Sequence, residues 1–329
     1  MTNYQINKID IIILNYNGAE ILPQCLPSIV EAAKRAPVPC HVIILDNKSS
    51  DNSLNYVRKT FPQIKIVIAK ENNVLFSYNE LIPNLDSDII ILLNNDIKVD
   101  PDFISPLISR FSSPSVFAVA PKQMNFNGIG YNGGKNKIEF RFGLIKAGQD
   151  LYGDDNPVME KPGYTFYNAN SAFNRRKFLE LGGFDEIYHP YTWEDTDLCY
   201  RAWKRGWAML YDPRSIIYHD ESYTISREIN KKSSLFRNRR VISRRNSFIF
   251  TWSNMTDPKF LAIHFALLPL NLISGIFNDW ARIAALFQAL KYIPGILSKR
   301  KKLVAKRSDE EIFRLIDTSV KDRGILEKP

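Results

Sequence analysis

The sequence predicts an α/β fold: a mostly parallel, Rossmann-like central sheet with helices on both faces, followed by a helical, basic and apolar C-terminal extension. Two observations predict the sheet. Short β-branched and apolar runs alternate with stretches of helical periodicity over the N-terminal third, the pattern of right-handed strand–helix–strand units. Each run also stops at a polar cluster, and ligands of open α/β sheets collect at those carboxyl ends. Charge predicts the extension. Residues 1–222 hold 23 Lys and Arg against 26 Asp and Glu, net −3, so of the chain totals of 44 and 35 the remaining 21 and 9, net +12, fall in residues 223–329. The chain is therefore divided into an α/β unit over 1–222 and a helical region over 223–329.

Residues 9–14 form the first strand, Asn15-Tyr16-Asn17-Gly18 is a turn signal, and Ile21, Leu22, Leu26, Ile29 and Val30 carry a helix. Residues 41–45 repeat the plan and stop at Asp46, with Ser50 or Asp51 placed to cap the next helix. Residues 64–69 and 74–85 are a third unit. Residues 89–93 are all Ile or Leu, a strand buried on both faces, and end in Asn94-Asn95-Asp96 before an Asp100-Pro101 helix start. No Gly-x-Gly-x-x-Gly follows the first strand, so a dehydrogenase-type dinucleotide site lacks its main support. Eight glycines over 121–165 suit a long loop, and Asn168, Asn170 and Ser171 interrupt a strand-like aromatic run over 164–173 as either a groove wall or satisfied core amides.

The helix that starts near Glu194 has Thr192 as its expected N-cap and Asp195 as the N3 acid of a capping box. Capping needs one or two acids and this turn has Glu194, Asp195 and Asp197, beside Trp193 and a Pro-aromatic cluster, which reads as a pocket lip. Short strands over 207–210 and 216–218 then lead to His219. A carboxylate at Asp96 and an imidazole at His219 suit a divalent cation such as Mg²⁺ or Mn²⁺ bridging phosphate oxygens. The three cysteines, Cys25, Cys40 and Cys199, are too scattered for a zinc site or a disulfide framework.

Taken together and in order, these residues resemble the inverting family 2 glycosyltransferases of GT-A fold, especially rhamnosyl- and galactofuranosyltransferase-like members that build bacterial surface polysaccharides. The resemblance covers about residues 9–222 and rests on Asn15-Tyr16-Asn17, Asp46-Asn47-x-Ser49-x-Asp51-x-Ser53, residues 73–79, Asn94-Asn95-Asp96, Gly182-Gly183-Phe184-Asp185 and Glu194-Asp195-x-Asp197-Leu198-x-x-Arg201. It implies a nucleotide-sugar donor (dTDP-rhamnose or a UDP-sugar) held by Asn15, Tyr16, Asn17, Asp46, Asn73, Asn79, Asn94 and Asn95. It further implies a metal at Asp96 and His219, catalysis by Asp195 with Glu194, and a saccharide or lipid-linked acceptor near Trp193 and Asn170. Asn94 stands where many members have Asp, and the glycine often found after the position of Asn73 is Val74 here.

No signal peptide opens the chain, which points to the cytoplasm. In the extension, residues 260–277 are apolar but interrupted by His264, Pro269 and Asn271; residues 283–297 are apolar again, and Lys299, Arg300, Lys301, Lys302, Lys306 and Arg307 follow. Residues 259–307 thus read as helices lying on the inner face of the cytoplasmic membrane, against the rival reading of a helical subdomain packed on protein or in a homo-oligomer. The rival functions are a nucleic-acid binder, on Phe236, Arg237, Arg239, Arg240, Arg244, Arg245 and Phe248, against which stands the acidic globular part, and a nucleotidyltransferase or a glycoside hydrolase on a related sheet.

Overall fold

The computed structural model describes residues 5–148, 156–220 and 234–321. Its first half follows the predicted alternation: β1 (Ile9–Asn15), α1 (Leu22–Lys34), β2 (Cys40–Asp46), α2 (Ser53–Thr60), β3 (Lys65–Ile68), the short α3 (Tyr78–Leu81) and β4 (Ile89–Asn94). The strands run parallel in the order β3-β2-β1-β4. Ile89 to Leu93 are at most 1% exposed, and each such side chain contributes roughly 1.5–3 kcal/mol by leaving water. Register sets Asn15 opposite Asp46 and Leu14 opposite Asn94, so the three polar strand ends share one edge.

Beyond β4 come β5 (Ile97–Val99), α4 (Ile104–Ser109), β6 (Val116–Asn125), β7 (Tyr131–Gly133), β8 (Lys137–Arg141), β9 (Leu144–Gly148), β10 (Gly163–Tyr164), β11 (Ala172–Asn174), α5 (Arg175–Glu180), α6 (Glu194–Lys204) and β12 (Ala208–His219). The sheet continues β4-β11-β6-β12-β10, with β11 antiparallel to both neighbours and β12 parallel to β6. It is a mixed GT-A sheet with a parallel half.

Four local expectations are corrected. Asp100 caps no helix: its carbonyl accepts from Phe103 and its carboxylate from Asp102, closing a turn, and α4 starts at Ile104. Nor does Ser50 or Asp51 cap α2, whose N-cap is Asn52; Asp51 accepts from Ala19 and Ser53 instead. Among the described residues the glycine-rich stretch is no loop but holds part of β6, β7 and the β8-β9 hairpin, with Gly128, Gly130, Gly133, Gly134 and Gly143 at positive φ. At Gly134 (φ +98°) a Cβ would lie 2.2 Å from the Pro121 carbonyl oxygen, which excludes any other residue. The strands expected over 207–210 and 216–218 are one, β12, with a bulge between Asp212 and Ile216.

Of the C-terminal helices α7 (Ser234–Asn254), α8 (Pro258–Asn278), α9 (Ala281–Leu290), α10 (Ile293–Lys302) and α11 (Asp309–Lys321), α7 meets α6 and β9 of the separate β8-β9 hairpin, α9 and α10 pack on α7, and α11 meets β8, β10 and α6. Asp309, fully buried, pairs with buried Lys204, accepts the Tyr200 hydroxyl, and accepts the Thr256 and Asp257 amides at 2.7 Å. His264 is a packing residue rather than a mere break in an apolar run. Its Nε2 accepts from the Trp252 indole at 2.9 Å and its Nδ1 donates to the Gly143 carbonyl at 2.6 Å, which requires the neutral Nδ1–H tautomer.

Candidate active site

The loop after β1 and the end of β2 are joined by buried hydrogen bonds. The Asn15 amide donates to Asp46 at 2.8 Å, and Asp46 also accepts the Ser49 amide at 2.8 Å and hydroxyl at 2.6 Å. Asn95 donates to the Asn15 carbonyl oxygen at 2.9 Å, which ties this pair to β4. Gly18 fits because a Cβ there would lie 2.3 Å from that oxygen. Asn15 is wholly buried, so it acts on a ligand only by fixing Asp46 and Asn95. Asn17, left-handed at φ 51°, accepts from Ser50, and Tyr16 stands 45% exposed at the rim. Val74 adopts φ 49°, a conformation rare for a β-branched residue, where a glycine is absent after Asn73. Asn73 itself caps the 3-10 turn that starts there, its carbonyl accepting from Phe76.

Asn79 is corrected from donor contact to structural clamp. Its amide donates to the Phe184 carbonyl at 2.7 Å and accepts the Phe184 amide at 2.9 Å, so both groups are occupied. Asn170 likewise sits behind the site, accepting the Asn94 amide at 3.0 Å.

Asp96 is buried, and His219 Nε2 lies 3.4 Å from its Oδ1 because β5 pairs with the end of β12. Gln123 Nε2 and Asn132 Oδ1 face His219 Nδ1 at 3.1 and 3.3 Å. A carboxylate and an imidazole at this separation fit two ligands of one divalent ion. Among the described residues no group of three or more His, Cys, Asp and Glu side chains converges, so such an ion would complete its shell with phosphate oxygens and water.

Asn94 and His219 face Glu194, Asp195 and Trp193 across a cavity of about 700 Å³, also lined by Val74, Tyr167, Tyr191, Thr192, Arg239 and Ser243. The expected capping box is absent. Trp193 is the N-cap in a left-handed conformation with no side-chain cap, and Asp195 Oδ1 accepts the next amide, Thr196, at 2.7 Å. Burial raises the Asp195 carboxyl above its ordinary value. Burial, then the adjacent Asp195 carboxylate, push Glu194 up to about 8, and its Oε2 is buried without a hydrogen-bond partner among the described residues. Glu194 is therefore largely neutral near pH 7, while Asp195, also raised by burial, accepts the Thr196 amide, which favours its charged form. Asp197, by contrast, points away from the cavity. Burial favours its neutral form, but Lys299 at 2.6 Å and Arg201 at 2.7 Å hold it well below the usual carboxylate range.

Sequence reasoning missed Gln123, Asn132, Tyr167 and Ser243, which carry no motif. Arg239 lay in the stripe read as a nucleic-acid rival; of that stripe the side chains of Phe236 and Arg237 lie outside the described ones, Arg239 and Arg240 are exposed, and Arg245 and Phe248 are buried. Arg240 and Arg244 pair with Asp279, while Arg245 donates to the His189 carbonyl at 2.5 Å.

A mixed α/β sheet with carboxylates at the ends of β2 and after β4, and an acidic pair across the cavity, defines a GT-A glycosyltransferase. The profile of glycosyl transferase family 2 matches residues 10–182, more than half of the chain, and the chain belongs to that family. It is 27% identical over 235 residues to the O-antigen chain rhamnosyltransferase RfbN of Salmonella typhimurium, covering 68% of this chain and 70% of that protein. It is 25% identical over 148 residues to the pre-mycofactocin glycosyltransferase of Mycobacterium tuberculosis, covering 45% of this chain but only 30% of that protein. Among solved structures, the mannosyltransferase PcManGT of Pyrobaculum calidifontis, in complex with GDP-Man and Mn²⁺, superposes with a TM-score of 0.53 at 15% identity, covering 99% of this chain and 89% of that one. The protein is a glycosyltransferase.

Proposed function

We propose that the enzyme moves a sugar, with inversion, from a nucleotide-diphosphate sugar to a saccharide or lipid-linked acceptor in the synthesis of a bacterial surface polysaccharide. The observation that carries this reading is the cavity in which Asn94 and His219 face Glu194 and Asp195. The RfbN relative favours a rhamnosyl donor such as dTDP-rhamnose, with a UDP-sugar as the other candidate. Asp46 orients the base or ribose, and Asp96 with His219 would hold Mg²⁺ or Mn²⁺. When bound, the ion offsets charge developing on the leaving diphosphate. Asp195 removes the acceptor hydroxyl proton as the new bond forms; Oδ1 is engaged by Thr196, so Oδ2 receives it. Neutral Glu194 withholds a second negative charge from the same space and keeps a hydroxyl for the acceptor or sugar.

The membrane reading of residues 259–307 belongs to the same proposal. One helix among the described residues, over Pro258–Gly275, is long and apolar enough to cross a membrane, and 11% of it is buried. Phe265, Leu270 and Ile273 on α8, Phe287 on α9 and Leu297 on α10 are exposed, and residues 280–308 contain eight Lys and Arg and no acid. That surface suits the cytoplasmic face of an anionic membrane, where a lipid-linked acceptor resides.

The test is a panel of dTDP-rhamnose, UDP-galactose and UDP-glucose with Mn²⁺, read by thermal shift and by nucleoside diphosphate release with and without saccharide acceptors. A matching donor raises the melting temperature by mass action and its diphosphate appears faster with acceptor. Acceptor-independent release would indicate a hydrolase, and no shift with any nucleotide-sugar would overturn the donor assignment.

A further inference from the structure

The turn that presents Asp195 is held from outside the family-matched region. Thr192 and Trp193 are consecutive left-handed residues, at φ 71° and 73°, immediately before α6. For a β-branched threonine this conformation is strained, and such residues persist only where their surroundings over-determine them. The restraint comes from α7. Asn246, fully buried, turns its amide nitrogen to three backbone carbonyls of this turn: Tyr188 at 2.8 Å, Tyr191 at 2.9 Å and Thr192 at 2.9 Å. Two amide hydrogens serve the three carbonyls, so one of them is shared. The opposite side of the amide is fixed as well, because its oxygen accepts from Arg245 Nε at 2.9 Å, and Arg245 also donates to the His189 carbonyl. One helical turn on, Phe250 packs on the Trp193 ring at 5.0 Å between centroids.

We propose that Asn246 is a positioning residue for the reaction: by gathering the Tyr188, Tyr191 and Thr192 carbonyls it locks the left-handed Thr192–Trp193 pair and so aims the Asp195 carboxylate into the cavity. Asn246 touches no reacting atom. Its effect passes through the turn, and α7 is thereby part of the catalytic unit rather than an appendage. The role rests on the proposed assignment of Asp195, but the geometry of the turn can be read without any substrate.

The experiment therefore has two arms on the full chain. In hydrogen–deuterium exchange, Asn246→Ala speeds exchange of peptides spanning residues 191–200, where the Asp197 amide bonded to the Trp193 carbonyl closes the first turn of α6. Peptides spanning residues 89–99 keep wild-type exchange. Asn246→Ser, which keeps one donor, falls between the two and serves in place of Asn246→Ala if that variant does not fold. In the kinetic arm, with whichever of dTDP-rhamnose, UDP-galactose and UDP-glucose the wild type uses, turnover falls by about 10- to 100-fold while donor Kd stays within roughly twofold, as expected for a misplaced catalytic group. The acid limb of the turnover profile also moves to lower pH, since an opened turn hydrates Asp195. Unchanged exchange over 191–200, or exchange that rises equally over 89–99, overturns the positioning role. If the wild type uses none of dTDP-rhamnose, UDP-galactose and UDP-glucose, the proposed donor assignment is what fails, and the exchange arm still decides on Asn246.

Discussion

Two adjacent carboxyls stand at the start of α6, Glu194 with its Oε2 buried without a hydrogen-bond partner among the described residues and Asp195 accepting the Thr196 amide, and that difference separates their proposed roles. Asp195→Asn removes the proton acceptor at almost constant shape, so transfer falls by at least about 10²-fold while donor affinity by calorimetry stays at the wild-type value. Retention of most turnover would move the base elsewhere. Glu194 gives a stability signature of its own. Its folded value, about 8, lies above its ordinary value of 4.5, so the folded state binds more protons and stability falls as pH rises between the two. Thermal unfolding of the wild type is thus expected at a lower temperature at pH 8 than at pH 5, and Glu194→Gln should flatten that decline. On the other wall, Asp96→Ala, and to a lesser degree His219→Ala, should weaken Mn²⁺-dependent donor binding. Identical donor affinities with and without Mn²⁺ in Asp96→Ala and wild type would exclude the metal role.

At the scale of elements, α6 has two working faces. Its first turn faces the cavity, while its inner face is tied down by ions. Asp197 binds Arg201, Lys299 and the amide of Asn254 and accepts the Tyr188 hydroxyl, and two turns later Lys204 pairs with Asp309. Four of these partners come from the C-terminal helices or the turn before α6, so α6 is aligned mostly by groups from other elements. Removing one member of a buried pair leaves the other charge uncompensated. Asp309→Ala is therefore expected to destabilise the protein by about 3–5 kcal/mol in urea unfolding, whereas replacing the exposed ion pair partner Glu310 should cost under about 1 kcal/mol. Equal effects of the two substitutions would show that the Asp309–Lys204 pair is not what anchors α11.

For the whole molecule, the same anchoring changes how the tail is best tested. A chain cut near Thr256 would lose Lys299, Arg300 and Asp309 together, leaving buried Lys204 without its carboxylate and Asp197 without one of its two cations, so failure to bind membranes would not separate lipid contact from unfolding. Point substitutions on the outer surface avoid this. The full chain is expected to sediment with anionic liposomes, with each basic residue near the surface contributing ~1 kcal/mol and salt weakening the binding. Phe265→Glu with Leu270→Glu should abolish sedimentation and leave the melting temperature near that of the wild type. Unchanged sedimentation, accompanied by dimer-to-monomer conversion in the double variant, would reassign the face to a second copy of the chain.

The parallel strands β1 to β4, the carboxyl-end polar clusters and the acidic start of α6 were legible in the sequence alone, because each depends on local periodicity: an all-apolar run is a buried strand, and its register carries Asn15, Asp46 and Asn94 to one edge. The split between an acidic sheet and a basic tail was equally a matter of composition. What the sequence did not reveal was which polar groups are available to a ligand. Asn79 and Asn170 have the same chemistry as Asn94, yet the first is occupied by Phe184 and the second supports Asn94 from behind. Likewise nothing in Arg244, Arg245 and Asn246 distinguishes a solvated basic stripe from a helix that grips the turn before α6. Hydrogen-bond satisfaction is a property of neighbours brought together across 50 or more residues, as between Asn246 and Tyr188, and only the tertiary structure decides it.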